Sequence, residues 1–376
     1  AMTIGSRRAL EELGESQYGL TPVGTGPFRV SAHTLGQSVV LEKFDDYYDP
    51  ERPKLDKVTI TPIIDAEPLA AAIEAGDIQL IGGNPIAPEI VDRLLANPDL
   101  VVSIVPGPGF QSIWINPWRE PFTVADYNKP LEELMQEKGF KARLAFAKAL
   151  DRDLYVKQAQ FGRGQPCFGS INPAMAFFFD ENLGESSNQR FDLEEAKRLL
   201  AEAGYPDGEG IPPLKILHTP DQRREVQVIA NILKTNLGIQ VEPDTKDFPV
   251  LIDEFDKMNF DLCRLGSGGD YDPDDALVDW MQTNSKFNGR LRDKEKMPFG
   301  NFSSEKVNEL IAQQRLETNP DKRKALVAEA NKITSDKVAS AFLFHPVDIL
   351  VHTKAVNYPP ESRIPGLVDL DRTTLS

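Results

Sequence analysis

The chain has 376 residues, with 58 Asp and Glu against 42 Lys and Arg for a formal charge of −16, and it is 40% apolar with 20 Phe. That length predicts two or three domains, and the apolar content excludes global disorder. The acidic surface argues against nucleic acid or an anionic membrane surface as a partner.

No run approaches the roughly 18 apolar residues that a membrane-spanning helix needs. The first residues lack the charged and apolar regions of a signal peptide, as would those of an exported chain whose leader had been removed. The two cysteines, Cys167 and Cys263, show no Cys-x-x-Cys spacing, which excludes a zinc site built mainly from cysteine. One disulfide or two free thiols remain open. The apolar run around Cys263 favours buried free thiols.

In chain order, residues 6–15 read as a short helix that Gly14 ends. Alternating runs at 28–31 and 39–44 flank a turn at Gly36 and predict a hairpin. A strand at 58–61, a helix at 65–75 stopped by Gly76, a strand at 78–81, a helix at 87–96 and a strand at 101–105 follow. A strand is expected at 110–116, then a long helix starting at 141–150 and a loop at 165–188. Asp192 reads as the cap of a helix that Gly204 ends. Strands at 214–217, 239–241 and 260–265 alternate with helices at 223–237 and 249–258, which predicts βαβ units and a parallel sheet covered on both faces. Helices at 304–316 and 321–333 precede apolar strands at 341–344 and 349–352.

Catalytic and metal motifs are sparse. The four histidines, His33, His218, His345 and His352, lack zinc-protease spacing and read as solvated or core-satisfied residues. Gly24-Thr25-Gly26 is followed by a proline and no Walker lysine, and no nucleophile elbow is present. No cofactor and no metal are expected.

Two segments stand out as candidate sites. The first is the loop 266–275, Gly-Ser-Gly-Gly-Asp-Tyr-Asp-Pro-Asp-Asp. It follows an apolar strand, and in open α/β sheets such loops line the ligand crevice. Gly269 and its neighbours let backbone approach a ligand, and Asp270, Tyr271 and Asp272 offer polar contacts. Calcium binding and simple helix capping by Asp274 or Asp275 compete with that reading. The second is the strand 110–116, where Ser112, Trp114 and Asn116 share the face opposite Gln111, Ile113 and Ile115. That face suits either a ligand wall or packing between lobes.

Ordered motifs run through almost the whole chain. They begin with Pro22-Val23-Gly24-Thr25-Gly26-Pro27-Phe28, Leu55-Asp56-Lys57-Val58 and Ala75-Gly76-Asp77-Ile78. Ile115-Asn116, Arg143-Leu144-Ala145-Phe146-Ala147-Lys148-Ala149-Leu150-Asp151-Arg152 and Ala203-Gly204-Tyr205-Pro206 follow. Phe260-Asp261-Leu262, Asp270-Tyr271-Asp272-Pro273-Asp274 and the segment from Asn301-Phe302 to Val307 close the series. In this order the chain resembles the family 5 solute-binding proteins of ABC importers, which include oligopeptide-, dipeptide- and nickel-binding members.

The resemblance implies an α/β, two-lobe, periplasmic-binding-protein-like (type II) fold with a hinge. Residues 1–113 would form part of the first lobe, 114–345 the second, and 346–376 the return to the first, with strands 110–116 and 341–349 as the crossings. It implies a monomer that captures a peptide or similar small solute in the interlobe cleft. The partners would be ABC permease subunits, the location periplasmic or extracellular, and catalysis absent. In the peptide-binding branch the aspartate matching Asp270 pairs with the ligand's α-amino group. Here the motif is one residue shorter than usual and lacks the preceding Trp. Only 23 residues precede Gly24, where the family carries well over a hundred. The chain is therefore expected to lack the start of the first lobe and a small extra domain. The rival reading is an acidic α/β hydrolase using aspartates of the 270–275 loop.

Overall fold

The computed structural model describes residues 4–82, 86–269, 271–359 and 368–376. The chain divides into two compact units, Ala1–Val105 with Ile349–Ser376, and Pro106–Asp348.

The first unit opens with the helix Arg7–Leu20, whose first turn is capped by Ser6 accepting from Ala9 N. Gly14 does not end it. The glycine adopts φ 74°, the helix kinks there, and helical backbone resumes to Leu20. The expected hairpin forms from Phe28–Thr34 and Ser38–Lys43, and Lys57–Ile60 adds a third antiparallel strand. No residue of this helix or of these three strands is fully buried. A second sheet orders Leu80–Ile81, Val347–Thr353 and Leu100–Pro106. With it go the helices Ala66–Ala75, which buries Ala70 and Ile73, and Pro88–Ala96, which buries Ile90, Val91 and Leu94.

The second unit is built on a six-stranded sheet in the order Gln165–Pro166, Ala341–His345, Gly109–Ile115, Leu262–Gly268, Leu214–His218, Val241–Thr245. The last three strands are parallel, as the alternation of strands and helices predicts. The others pair antiparallel, so the sheet as a whole is mixed rather than parallel. The chain goes from Leu214–His218 to Val241–Thr245 on one side, then back across to Leu262–Gly268. Right-handed crossovers in opposite directions put the helices Arg223–Leu237 and Phe248–Asp256 on opposite faces. Arg223–Leu237 has the expected limits because Gly238 stops it at φ 70°, where a Cβ would lie 2.0 Å from Asp207 O.

The strand Gly109–Ile115 belongs wholly to the second unit, because its ladder partners are Leu262–Gly268 and Ala341–His345. The chain therefore passes between units at 105–106 and 348–349, not within 110–116. The helix expected from 141 onward is two helices, Lys138–Lys148 and Arg152–Ala159, parted at Asp151, whose carboxylate accepts from Leu154 N. The stretch 165–188 is mostly irregular but contributes the edge strand Gln165–Pro166 and one turn, Leu183–Ser186.

Two arginines of the motif 143–152 act as staples. Arg143 is fully buried and donates to the carbonyls of Ile115, Val338 and Ala339. Arg152 donates to the carbonyls of Ala147, Leu150, Cys167, Gln189 and Phe342 and to the Gln189 side chain. Burial pulls Arg152 down to about 10. Among the described residues no carboxylate pairs with either guanidinium, so carbonyl dipoles supply the compensation that a buried charge requires.

Candidate functional site in the second unit

The strand Leu262–Gly268 runs between an antiparallel and a parallel neighbour and ends in the loop 266–275. At Gly266 a Cβ would stand 2.2 Å from Phe110 O, so only glycine permits this approach of strands. Gly269 donates to Pro108 O at 2.7 Å, and a Cβ there would meet open space. Asp270 lies outside the described residues. Tyr271 is exposed.

Asp272 does not stand free toward a ligand. It caps the helix Pro273–Ala276 by accepting from Asp274 N at 2.9 Å, and it pairs with Arg323. Burial would raise its pKa, but Arg323 and the Asp274 N–H outweigh that and hold the carboxyl below its ordinary range. Asp274 is likewise held, by Arg315 through two bonds of 2.7 Å and by Gln314 at 2.7 Å. Capping thus belongs to Asp272, not to Asp274 or Asp275, and the loop is bolted to the helices Glu305–Leu316 and Pro320–Asp336. Asp272 and Asp274 are both committed to arginines, so neither stands free for the hydrolase reading.

Ser112, Trp114 and Asn116 do not form a ligand wall. All three are buried within the second unit. Ser112 Oγ and Trp114 Nε1 both donate to Leu265 O at 3.1 Å. Asn116 Nδ2 donates to the carbonyls of Met258 and Phe260. The Trp114 ring stacks on Trp280 at 5.6 Å. A central strand covered by helices on both faces buries both sides of its alternation, which defeats the inference from a half-polar face.

A polar cluster that the sequence does not announce lies beside the base of the loop. Glu225, in the first turn of Arg223–Leu237, accepts from Arg264 at 2.6 and 2.7 Å, from Tyr155 Oη at 2.7 Å and from Gln160 Nε2 at 3.0 Å. Arg264 Nη1 donates to Gln111 Oε1 at 2.7 Å, and Gln111 Nε2 donates to Ser267 O at 3.2 Å, linking the cluster to the loop. Burial by itself would lower Arg264, but the Glu225 charge and Tyr155 hold it above its ordinary value. Burial, then the same carboxylate, push the Tyr155 phenol well up. The one available sequence signal is an arginine inside the otherwise apolar run 262–265.

The histidines are structural. His218 is bonded through Nδ1 to Thr219 O and through Nε2 to Thr245 Oγ1. His33, His345 and His352 each place Nδ1 against a backbone carbonyl. Both cysteines are buried free thiols, as burial favours. Cys167 donates to Gly169 O, and burial pushes it up to about 12. Among the described residues no group of three or more His, Cys, Asp or Glu is placed to hold a metal ion, and no helix is long and apolar enough to cross a membrane.

A family model for bacterial extracellular solute-binding proteins, family 5 (middle), matches residues 8–289. The chain belongs to that family. The oligopeptide-binding protein OppA of Bacillus subtilis is 25% identical over 336 residues, spanning 88% of this chain and 57% of OppA. The glutathione-binding protein GsiB of Escherichia coli is 30% identical over 208 residues, or 55% of this chain and 36% of GsiB. Among solved structures, the periplasmic binding protein DppA of Helicobacter pylori, in complex with the peptide STSA, superposes with a TM-score of 0.76 at 23% identity. That match covers 94% of this chain and 64% of DppA. The mixed α/β fold is thus that of the type II periplasmic binding proteins. The chain spans less than two thirds of the length of each of these relatives.

Proposed function

We propose that this chain is the solute-capturing component of an ABC importer. It works outside the cytoplasm as a monomer, takes up a peptide or similar small solute with a cationic amine, and passes it to the membrane permease without chemistry of its own. The observation that carries this reading is family membership joined to the position of the loop 266–275, at the carboxyl end of a parallel strand where open α/β sheets take their ligands. Relatives named for binding oligopeptides and glutathione, and one solved with a tetrapeptide, support a peptide-like ligand. Asp270 supplies the carboxylate for the amine, with Gly269 and Tyr271 beside it. The bolting of Asp272 and Asp274 to arginines supports a loop whose backbone is set before the ligand arrives.

Calorimetry against tri- and tetrapeptides, their N-acetylated forms and glutathione tests the proposal. A free-amine ligand should bind. Acetylation or Asp270→Asn should weaken it more than tenfold, since breaking one side of a buried charge pair loses roughly 2–5 kcal/mol. Equal binding of acetylated peptide would remove Asp270 from the site. Failure of every member of the panel would overturn the peptide reading.

A further inference from the structure

The helices Glu305–Leu316 and Pro320–Asp336 meet the loop 266–275 through five side chains joined in one hydrogen-bonded series. Arg315 donates through Nε and Nη2 to the two oxygens of Asp274, and Arg323 through Nη1 and Nη2 to those of Asp272. Gln314 stands between the two pairs. Its Oε1 accepts from Arg323 Nε at 2.9 Å, and its Nε2 donates to Asp274 Oδ1 at 2.7 Å. The four charged side chains are between 23% and 49% exposed, whereas Gln314 is 1% exposed. The Arg323 guanidinium is backed by Phe178, 5.1 Å from its ring centroid. An amide suits this position because it accepts from a guanidinium at one end and donates to a carboxylate at the other. A carboxylate there has no donor for Asp274, and an apolar side chain leaves Arg323 Nε without an acceptor. Exposed ion pairs are weak, so two arginines beside two aspartates have more than one way to pair. By occupying Arg323 Nε and Asp274 Oδ1, the buried amide selects one.

We infer that Gln314 is a positioning residue for the solute loop. It touches no solute. It fixes the pairing of Arg323 with Asp272 and of Arg315 with Asp274, and through them the course of residues 271–276. The inference rests on the importer reading for what the loop binds, but the positioning itself does not depend on that reading.

Two variants of the whole chain test it, read by amide-exchange protection and by calorimetry with free-amine tri- and tetrapeptides. Gln314→Leu removes both bonds, each made to a charged group. Protection over 271–276 should fall about tenfold or more, the scale of such bonds. The peptides should bind about three- to tenfold more weakly, because ordering the loop then falls on the binding step. Gln314→Glu keeps the acceptor for Arg323 but sets a second carboxylate against Asp274 Oδ1. The charged groups facing that position are Asp272, Asp274, Arg315 and Arg323, with Asp275 and Asp279 beside them. At pH 7 this variant should lose as much protection as Gln314→Leu. At pH 5 the two carboxylates share a proton, which restores the missing donor, so protection and affinity should recover at least about threefold relative to the unmodified chain at the same pH. A packing role gives no such recovery. Unchanged protection over 271–276 in Gln314→Leu, equal deficits of Gln314→Glu at pH 7 and pH 5, or a loss spread evenly through Glu305–Leu316 would each overturn the inference. Should Gln314→Leu not fold, the two pH values on Gln314→Glu decide alone. If no peptide binds the unmodified chain, the peptide reading falls, and the exchange measurements still decide the positioning.

Discussion

At Glu225 a single carboxylate serves Arg264, Tyr155 and Gln160, and its side chain is only 17% exposed. Removing its charge strands the Arg264 guanidinium, 1% exposed, among Phe344 and Tyr155. Glu225→Gln should therefore destabilise the second unit by about 3–5 kcal/mol, the cost of breaking a buried pair on one side. Urea unfolding followed by tryptophan fluorescence would measure it, and a change under about 1 kcal/mol would show that Arg264 has other compensation. His345 gives a pH signature. Burial pushes it down to about 4, against the lesser, opposite pull of the Gly109 carbonyl. The unfolded histidine titrates near 6.5, so between those values the unfolded chain holds a proton that the folded chain refuses. Stability from this group is complete above about pH 6.5 and is lost as pH falls toward about 4. Between pH 7 and 5 the native chain should lose about 2 kcal/mol more than His345→Gln does. Parallel pH profiles for the two proteins would show that His345 is not the group responsible.

Among elements, the short helix Pro273–Ala276 is too small to hold itself and depends on its cap and on two later helices. Asp272→Ala removes both the cap bond and the Arg323 pair. The loss should be about 1–2 kcal/mol, since the carboxylate is roughly half-exposed and the pair is screened. Amide exchange should quicken over 271–276 and stay unchanged in Leu262–Cys263, which the ladders on both sides protect. Uniform acceleration through that strand would mean that the loop and the sheet open together. Helix limits were the most legible feature at this scale. Gly76 and Gly238 stop their helices in left-handed conformations, and Asp192 accepts from Glu195 N, as their types and spacing imply. Gly14 was misread because a glycine inside a helix can kink the backbone without ending it.

For the molecule as a whole, the second unit is one continuous segment that contains a large core and all the tryptophans, Trp114, Trp118 and Trp280. The first unit is assembled from two separated segments. Its helix Arg7–Leu20 and three-stranded sheet hold no fully buried residue. A fragment of residues 106–348 should therefore fold alone with the tryptophan emission of the whole chain. In the whole chain, limited proteolysis should cut first within 7–60, where local opening costs least. Early cleavage inside 106–348, or an unfolded fragment, would show that the second unit relies on the rest of the chain.

What the sequence determined by itself was local. Period-two runs became strands, capping residues began helices, and the motif order identified the family, because each signal lies within a few residues of its effect. The tertiary structure alone decided which side chains meet. Tyr155, Gln160 and Arg264 come from separate elements to the Glu225 carboxylate, and Gln111 joins them through Arg264. Asp272 found its counter-charge 51 residues away in Arg323. Trp114 went to the core because helices cover both faces of its strand, a layering that depends on the packing of the whole unit. Periodicity reports which residues share a face, but what covers that face is settled by contacts between distant segments.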